Sequence, residues 1–288
     1  MESSRECPLL EHELDSPSKF TPDELVSAVR AARGLPDVAV PEICVLDFDG
    51  DLTDWLLRQG SATDFEPWAC FHTKMYLLET DEACCGIIPR TIGGPYAVLI
   101  AEQLRVSGAR LILGLTSAGR ISPSLPLPSF VIVTSAVRDE GTSFHYLPPA
   151  KKVDCPTPVV DLLLDEMSRL ASPAVKGSVW TTDAPYRETA AQLQEYAAAG
   201  VLAVEMQAAS LFAFAIARKA NVGIVAHVTA WETERARFNG SWPTWQKIPS
   251  WAPSMCGTTG PYSTFLRPQP TGLPTQPCWP GRFQWADT

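Results

Sequence analysis

The chain carries, at residues 86–115, the run Gly86-Ile-Ile-Pro-Arg-Thr-Ile-Gly-Gly-Pro-Tyr-Ala-Val-Leu-Ile-Ala-Glu-Gln-Leu-Arg-Val-Ser-Gly-Ala-Arg-Leu-Ile-Leu-Gly-Leu115. The apolar residues at its two ends predict buried strands. The middle, opened by Gly93-Gly94-Pro95 and closed by Gly108, predicts a helix. Neighbouring parallel strands need a crossover of this kind, usually a helix. The run therefore predicts an α/β unit with a largely parallel sheet covered by helices.

The same alternation continues on both sides of this run. Upstream, Thr21, Pro22 and Glu24 form the pattern of a capping box that begins a helix, and Gly34 ends that helix. Downstream, the segment from Glu205 to Lys219 is apolar nearly all round, which predicts a deeply packed helix. Further helices are predicted over about 159–171 and 188–199, and further strands at 43–46, 130–134, 177–182, 201–204 and 222–227.

Composition places the chain among globular proteins, because 45% of its 288 residues are hydrophobic and only 19% are charged. The net charge of −9 disfavours binding to nucleic acid or to anionic membranes. No apolar run approaches the length of a transmembrane helix, and the first residues lack an apolar signal core, so we expect a cytoplasmic protein. The eight cysteines contain no C-x-x-C pair, so we expect free thiols and no metal site.

Three regions are predicted along the chain. Residues 1–12 have no periodic pattern and are expected to be flexible, and residues 13–229 are expected to form one domain. From Trp231 onward the sequence contains six of the nine tryptophans and nine of the 26 prolines, without a helical or strand period. Residues 230–288 are therefore expected to form an irregular tail, native or arising from a shifted reading frame.

An acidic stretch follows the first predicted strand, Val45-Leu-Asp-Phe-Asp-Gly-Asp-Leu-Thr-Asp54. It resembles the first motif of haloacid dehalogenase-type phosphohydrolases. That resemblance implies Asp47 as the nucleophile and Asp49 as the group that handles the leaving-group proton beside Mg²⁺. Asp51 stands where that family usually has a small hydroxyl residue. The alternative interpretation is an acidic surface turn after a strand.

A second resemblance covers about residues 40–229 and is carried by several segments in order. They resemble the nucleoside phosphorylase superfamily, especially its uridine phosphorylase-like branch. The resemblance implies a three-layer α/β/α sandwich with a mixed, mostly parallel central sheet. It also implies cleavage of a nucleoside's N-glycosidic bond, inorganic phosphate as co-substrate without another cofactor, and a homo-oligomer of two to six subunits. The segments are Thr91–Leu104, Leu113–Gly119, Val133–Tyr146, Thr181–Glu188 and Gly200–Phe212.

The resemblance assigns the sugar-binding residues to Glu205, Met206 and Gln207. Glu205 and Gln207 are also predicted to be catalytic, together with Asp183. The family usually has Glu where this chain has Gln207. Glutamine can bond a sugar hydroxyl but brings no charge to favour a cationic transition state. The alternative is that Glu205 and Gln207 are polar groups at the start of a helix, and that Met206 is a core residue.

The remaining site residues follow from the same resemblance. Gly93, Thr116 and Ser117 are predicted to bind phosphate, partly through the backbone N–H groups of a turn over residues 116–119. Phe144, Tyr186 and Arg187 are predicted to bind the base. A polar strand-to-loop turn at Thr116 and Ser117, ordinary loop aromatics and a helix-capping Asp183 are the alternatives.

The chain departs from the phosphorylase pattern where phosphate would bind. Asp47-Phe-Asp-Gly-Asp51 replaces a Gly-Asp-Pro-x-Arg turn, and Gly114 stands in the place of another arginine. Val228-Thr-Ala230 also lacks the carboxylate that purine-specific members have after the last core strand. Four functions stay open: phosphorolysis, hydrolysis with water activated by Asp47, Asp49 or Asp51, a Mg²⁺-dependent phosphohydrolase, and a non-catalytic homologue.

Overall fold

The structure is a computed structural model that describes residues 7–11, 13–79, 84–169 and 174–231. Its helices are α1 (Pro22–Arg33), α2 (Asp51–Arg58), α3 (Gly94–Val106), α4 (Thr157–Arg169), α5 (Ala190–Ala198) and α6 (Ala208–Arg218). Its strands are β1 (Ile43–Asp47), β2 (Thr63–Asp64), β3 (Tyr76–Glu79), β4 (Cys84–Pro89), β5 (Leu111–Arg120), β6 (Ser129–Asp139), β7 (Lys152–Asp154), β8 (Ala174–Thr182), β9 (Val201–Glu205) and β10 (Asn221–Trp231).

All ten strands join one mixed sheet. Strand β1 lies between β4 and β5, parallel to both, and β5 is also parallel to β10. Strands β6, β8 and β9 form a second parallel group, joined to β10 and β5 by antiparallel pairings. The strands β5, β10, β6, β8 and β9 thus close a circle, while β2 and β3 extend the edge beyond β4. The predicted mixed α/β sheet with parallel central strands and covering helices is confirmed.

The clearest local prediction, helix α1, is confirmed in detail. The hydroxyl of Thr21 accepts a hydrogen bond from the backbone N–H of Glu24, and the Glu24 carboxylate accepts one from the backbone N–H of Thr21. The helix ends at Gly34, which has the left-handed φ of 66°. Each of these contacts joins residues within one turn, which is why sequence alone was sufficient here.

Several predicted boundaries were wrong. The acidic turn predicted over Asp47–Asp51 ends at Gly50, because Asp51 is the first residue of helix α2. The turn predicted over residues 116–119 is part of strand β5, because these residues pair with β10 and, at the far end, with β9. The helix predicted from Glu205 begins at Ala208, and Glu205 is the last residue of β9.

Several predictions concern residues at or beyond the ends of the described ranges. Residues 1–6 and 232–288 lie outside the described residues, so the predicted flexible start and irregular tail remain predictions. The six described cysteines are free thiols, and Cys256 and Cys278 lie outside the described part. Among the helices that the structure describes, none has both the length and the apolar character needed to cross a membrane.

Helices α3 and α6 pack closely at their first turns. Residues 208–215 of α6 are almost completely buried, as the apolar pattern predicted. The contact depends on Gly94, because a Cβ atom there would overlap Oγ of Ser210. Ser210 is itself fully buried and donates its hydroxyl to Glu140. The absence of a side chain at Gly94 therefore fixes the distance between the two helices.

Replacing Gly94 with alanine is expected to lower the free energy of unfolding by about 1–3 kcal/mol, because Ser210 must move in a packed region. Helix propensity alone would stabilise the variant by about 1 kcal/mol, so the sign of the change is diagnostic. Urea unfolding of Gly94→Ala and of the control Gly141→Ala measures the effect. A Cβ at Gly141 would meet its nearest neighbour at 3.8 Å, so this control should unfold like the wild type. Equal midpoints for the two variants would contradict the packing argument.

Candidate functional site

The carboxyl ends of β1 and β5 meet at one edge of the sheet and bring Asp49 to Ser117. The Asp49 carboxylate accepts hydrogen bonds from the Ser117 backbone N–H at 2.8 Å and from its hydroxyl at 3.2 Å. In open α/β sheets, ligands bind at this edge. Ser117 was predicted to bind phosphate, and in the structure its two donors hold a carboxylate of the chain itself.

Asp47 serves the fold at the same edge. Its carboxylate accepts from the backbone N–H of Gly50 at 3.2 Å and from the backbone N–H and hydroxyl of Thr53 at 2.8 and 2.7 Å. Burial raises the pKa of Asp47 to about 6, against the lowering effect of these bonds. The side chain therefore caps helix α2. It is buried and hydrogen-bonded at the start of α2, so it is neither exposed, as a surface turn would require, nor free to attack as a nucleophile.

The start of α6 reaches across to β5 through Gln207. Oε1 of Gln207 accepts a hydrogen bond from the Met206 backbone N–H at 3.1 Å and lies 3.4 Å from the Thr116 hydroxyl oxygen. The single hydrogen of that hydroxyl points mainly to the Ser117 carbonyl oxygen at 2.7 Å, so the contact with Gln207 is weak. Both Gln207 and Thr116 are buried. One residue predicted for the sugar side and one predicted for the phosphate side therefore lie in direct contact, although 91 positions separate them in the sequence.

Glu205 is held by more hydrogen bonds than the sequence indicated. One carboxylate oxygen accepts the Thr181 hydroxyl, and the other accepts the backbone N–H groups of Gln207 at 2.6 Å and Ala208 at 2.8 Å. The side chain is 3% exposed, and burial raises its pKa to about 7. Glu205 therefore caps helix α6, as the alternative interpretation proposed, and it lies beside Gln207 at the same time.

A second buried carboxylate, Glu140, was missed by sequence reasoning. It accepts hydrogen bonds from the Ser210 hydroxyl and from the Ser143 backbone N–H, and its charge contributes to the raised pKa of Glu205. Among the described residues, its other carboxylate oxygen is buried without a hydrogen-bond partner. Glu140 lies inside the segment 133–146 that carries the resemblance, but nothing in its local pattern indicated burial.

The residues predicted for the base side lie on two segments. Phe144 lies under the Arg138 guanidinium, 4.3 Å from ring centre to Cζ, whereas Tyr186 and Arg187 are consecutive residues of a short 3-10 helix. Tyr186 is fully exposed, and Arg187 is exposed as well. Asp183 accepts the Gly141 backbone N–H at 2.9 Å, and partial burial raises its pKa. Helix α5 has Thr189 as its N-cap, so Asp183 does not cap it.

A cavity of about 600 Å³ adjoins the base side. Its lining includes Asp183 and Gly141, together with residues of α1, α3 and the chain before α1. Gly93, the remaining predicted phosphate residue, precedes α3 with a φ of 91° and is half-buried.

The structure explains why one arginine of the family pattern is absent, and it places a different arginine, Arg90, beside the acidic stretch. A Cβ at Gly114 would lie 2.8 Å from the Phe48 ring, so the ring occupies the space that a side chain would need. At the end of β4, however, Arg90 pairs with Asp54 at 2.5 Å and lies across Gly50. Sequence reasoning missed Arg90, because the strand pairing of β1 with β4 is what brings it to the acidic stretch.

Comparison with known proteins agrees with this architecture. A family model described as the phosphorylase superfamily matches residues 42–242, well over half of the chain. The chain belongs to the phosphorylase superfamily. Within this superfamily it is similar to the guanosine phosphorylase of Halorubrum lacusprofundi, at 28% identity over 141 residues, 48% of this chain and 57% of that protein. It is also similar to the uridine phosphorylase of Salmonella typhimurium, at 22% identity over 198 residues, 64% of this chain and 75% of that protein.

Another relative of the chain is an uncharacterized protein of Acanthamoeba polyphaga mimivirus. It is 28% identical over 127 residues, 44% of this chain and 49% of that protein. The chain thus spans about half the length of the mimivirus and Halorubrum relatives.

Substituting Glu205 with glutamine is expected to change how stability depends on pH. The folded-state pKa of about 7 lies above the ordinary value of 4.5, so this carboxyl contributes stability below pH 4.5 that is lost as the pH rises to about 7. The glutamine variant cannot show this loss, which amounts to on the order of 3 kcal/mol. Urea unfolding at several pH values from about pH 4 to about pH 8 measures it. The exposed Glu66→Gln is the control, and parallel curves for wild type and Glu205→Gln would contradict the expectation.

Proposed function

We propose that the chain cleaves the N-glycosidic bond of a nucleoside by phosphorolysis, giving a free base and a pentose 1-phosphate. The observation that carries this proposal is the close approach of Gln207 to Thr116, 3.4 Å between Oε1 and the hydroxyl oxygen, which brings the predicted sugar side next to the predicted phosphate side. Membership of the phosphorylase superfamily and the names of the relatives support it. The same family relationship leads us to propose a cytoplasmic homo-oligomer of two to six subunits, with a role in nucleoside salvage.

The residues around Gln207 and Thr116 suit the steps of this reaction. A phosphate oxygen attacks C1′, the C1′–N bond breaks, and its electron pair goes to the base, through a state with positive charge on the sugar. Gln207 would bond the sugar hydroxyls, Met206 would pack on the sugar, and the buried carboxyls of Glu205 and Glu140 lie nearby. Thr116 and Ser117 would donate to phosphate. Asp183, on the base side, would supply the proton that the departing base needs.

The proposal is tested by incubating the full chain with a panel of purine and pyrimidine nucleosides, with and without phosphate. Liquid chromatography then measures the free base and the sugar product. Release of base together with pentose 1-phosphate supports phosphorolysis. If a nucleoside raises the unfolding temperature of the chain but no base is ever released, the chain is a non-catalytic homologue and the proposal is overturned. Phosphate release from a phosphomonoester that requires Mg²⁺ and Asp47 would favour the phosphohydrolase instead.

Replacing Gln207 with glutamate is expected to raise kcat for base release by about tenfold or more. The new charge lies beside the sugar, where positive charge develops, and each 1.4 kcal/mol of transition-state stabilisation is about tenfold in rate. The Met206 N–H can donate to the new carboxylate. Gln192→Glu makes the same change in the exposed capping box of α5 and should leave kcat unchanged. A fall in kcat for Gln207→Glu would contradict this role.

A second candidate function, hydrolysis of the same bond, is favoured by the position of Asp49. Its carboxylate occupies both donors of Ser117, where a phosphate oxygen would otherwise bind. A carboxylate at this position can accept a proton from a water molecule as that water attacks C1′, giving free base and free pentose. Phosphate would then be neither required nor consumed.

Hydrolysis predicts that Asp49→Asn loses at least about a hundredfold of the base release measured in phosphate-free buffer, the usual contribution of a general base. Asp51→Asn is the matched control in the same acidic stretch and should retain most of the activity. Incorporation of ¹⁸O from labelled water into the pentose measures the nucleophile directly. Unlabelled pentose 1-phosphate as the sole sugar product would rule out this second candidate.

A further inference from the structure

Arg90 has an unusual backbone conformation at the edge of the candidate site. Its φ is 60°, in the left-handed region that residues with a Cβ rarely adopt. It follows the last residue of β4, and its backbone N–H donates to the carbonyl oxygen of Asp47 at 2.8 Å. The end of β1 therefore holds Arg90 in place. Strained residues of this kind are concentrated at functional sites.

The Arg90 side chain crosses the turn that leads to Asp49. A Cβ at Gly50 would lie 2.8 Å from Cγ of Arg90, 3.1 Å from Cζ and 3.2 Å from Nη1. The guanidinium therefore lies directly on Gly50, whose own φ is 86°. The preceding residue, Asp49, is the carboxylate that occupies the donors of Ser117. A permanent positive charge thus packs on Gly50, the chain neighbour of the residue whose carboxylate fills the predicted phosphate position.

One carboxylate holds the guanidinium in its present position. Nη2 of Arg90 bonds Oδ2 of Asp54 in α2, and the two side chains are 58% and 35% exposed. Ion pairs this exposed are weak, because water solvates both partners and the long side chains lose entropy when paired. Arg90 can therefore leave Asp54 at little cost when a stronger anion is present, and arginine forms paired hydrogen bonds with phosphate oxygens.

We propose that Arg90 is the phosphate-binding cation of this chain and that Asp49 and Asp54 hold the site in a closed, phosphate-free arrangement. This inference rests on the proposed phosphorolysis. When phosphate binds, Asp49 releases the N–H and hydroxyl of Ser117 to a phosphate oxygen, and Arg90 exchanges Asp54 for the phosphate. The guanidinium offsets the repulsion between phosphate and Asp49. It thereby supplies positive charge that the two missing arginines of the family pattern do not provide.

Isothermal titration calorimetry of the full chain with inorganic phosphate, without nucleoside, tests the proposal. Arg90→Gln is expected to weaken the Kd for phosphate at least about tenfold, and Arg90→Lys less, because lysine keeps the charge but not the paired donors. Asp54→Asn is expected to tighten the Kd several-fold, because it frees the guanidinium. Arg58→Gln removes an arginine from the last turn of the same helix α2 and should leave the Kd within about twofold. Circular dichroism checks that each variant folds.

Two results overturn the inference: no phosphate binding by the wild type at millimolar concentration, or an Arg90→Gln variant that binds phosphate as the wild type does. If Arg90→Gln does not fold, Asp54→Asn decides, and an unchanged Kd for that variant overturns the closed arrangement. The outcomes separate this inference from the proposed function. Phosphate-dependent base release that is unaffected by Arg90→Gln overturns the inference alone, whereas Arg90-dependent phosphate binding without base release from any nucleoside overturns the function alone.

Discussion

The buried start of helix α6 is the constraint on which the site depends. Its first backbone N–H groups lie away from water and must find acceptors inside the protein. Glu205 accepts two of them, and the Thr181 hydroxyl accepts the N–H of Ala209 while donating to Glu205. These bonds join β8, β9 and α6 at one point. They leave Gln207 facing β5, so the contact with Thr116 follows from the way the helix is capped.

The fold was predictable wherever the information is local. The capping box at Thr21 and Glu24 and the glycine that ends α1 act within a single turn, and the buried strands appear as short apolar runs. Boundaries set by distant partners were not predictable. Strand β5 continues through Thr116 and Ser117 because β10, more than a hundred residues later, supplies its hydrogen bonds. Helix α6 begins late because Glu205 belongs to a strand that pairs with β8.

The residues of the candidate site likewise fall into those that the sequence indicated and those that only the structure revealed. The resemblance indicated Gln207, Thr116 and Ser117, and the structure places all three at one edge of the sheet. The resemblance did not indicate Glu140 or Arg90, because the position of Glu140 depends on helix packing and that of Arg90 on strand order. The aromatic residues Phe144 and Tyr186 have different surroundings, since Phe144 is stacked under Arg138 and Tyr186 is fully exposed. A sequence pattern identifies residue types, but the register of distant strands decides which of them meet.

The charges at this edge of the sheet explain why glutamine is acceptable at position 207. Glu205 and Glu140 are both buried, and the charge of Glu140 already helps to raise the pKa of Glu205. In the protein without substrate, a third carboxylate at position 207 would add repulsion in a region with few cations, since Phe48 fills the space beside Gly114 and Arg90 pairs with Asp54. Only the positive sugar of the transition state would offset that repulsion, so a glutamate would favour catalysis at the expense of the stability of the free protein. Glutamine keeps the contact with Thr116 without that repulsion. The neutral side chain and the missing arginines are therefore two parts of one electrostatic balance, in which fewer cations require fewer anions.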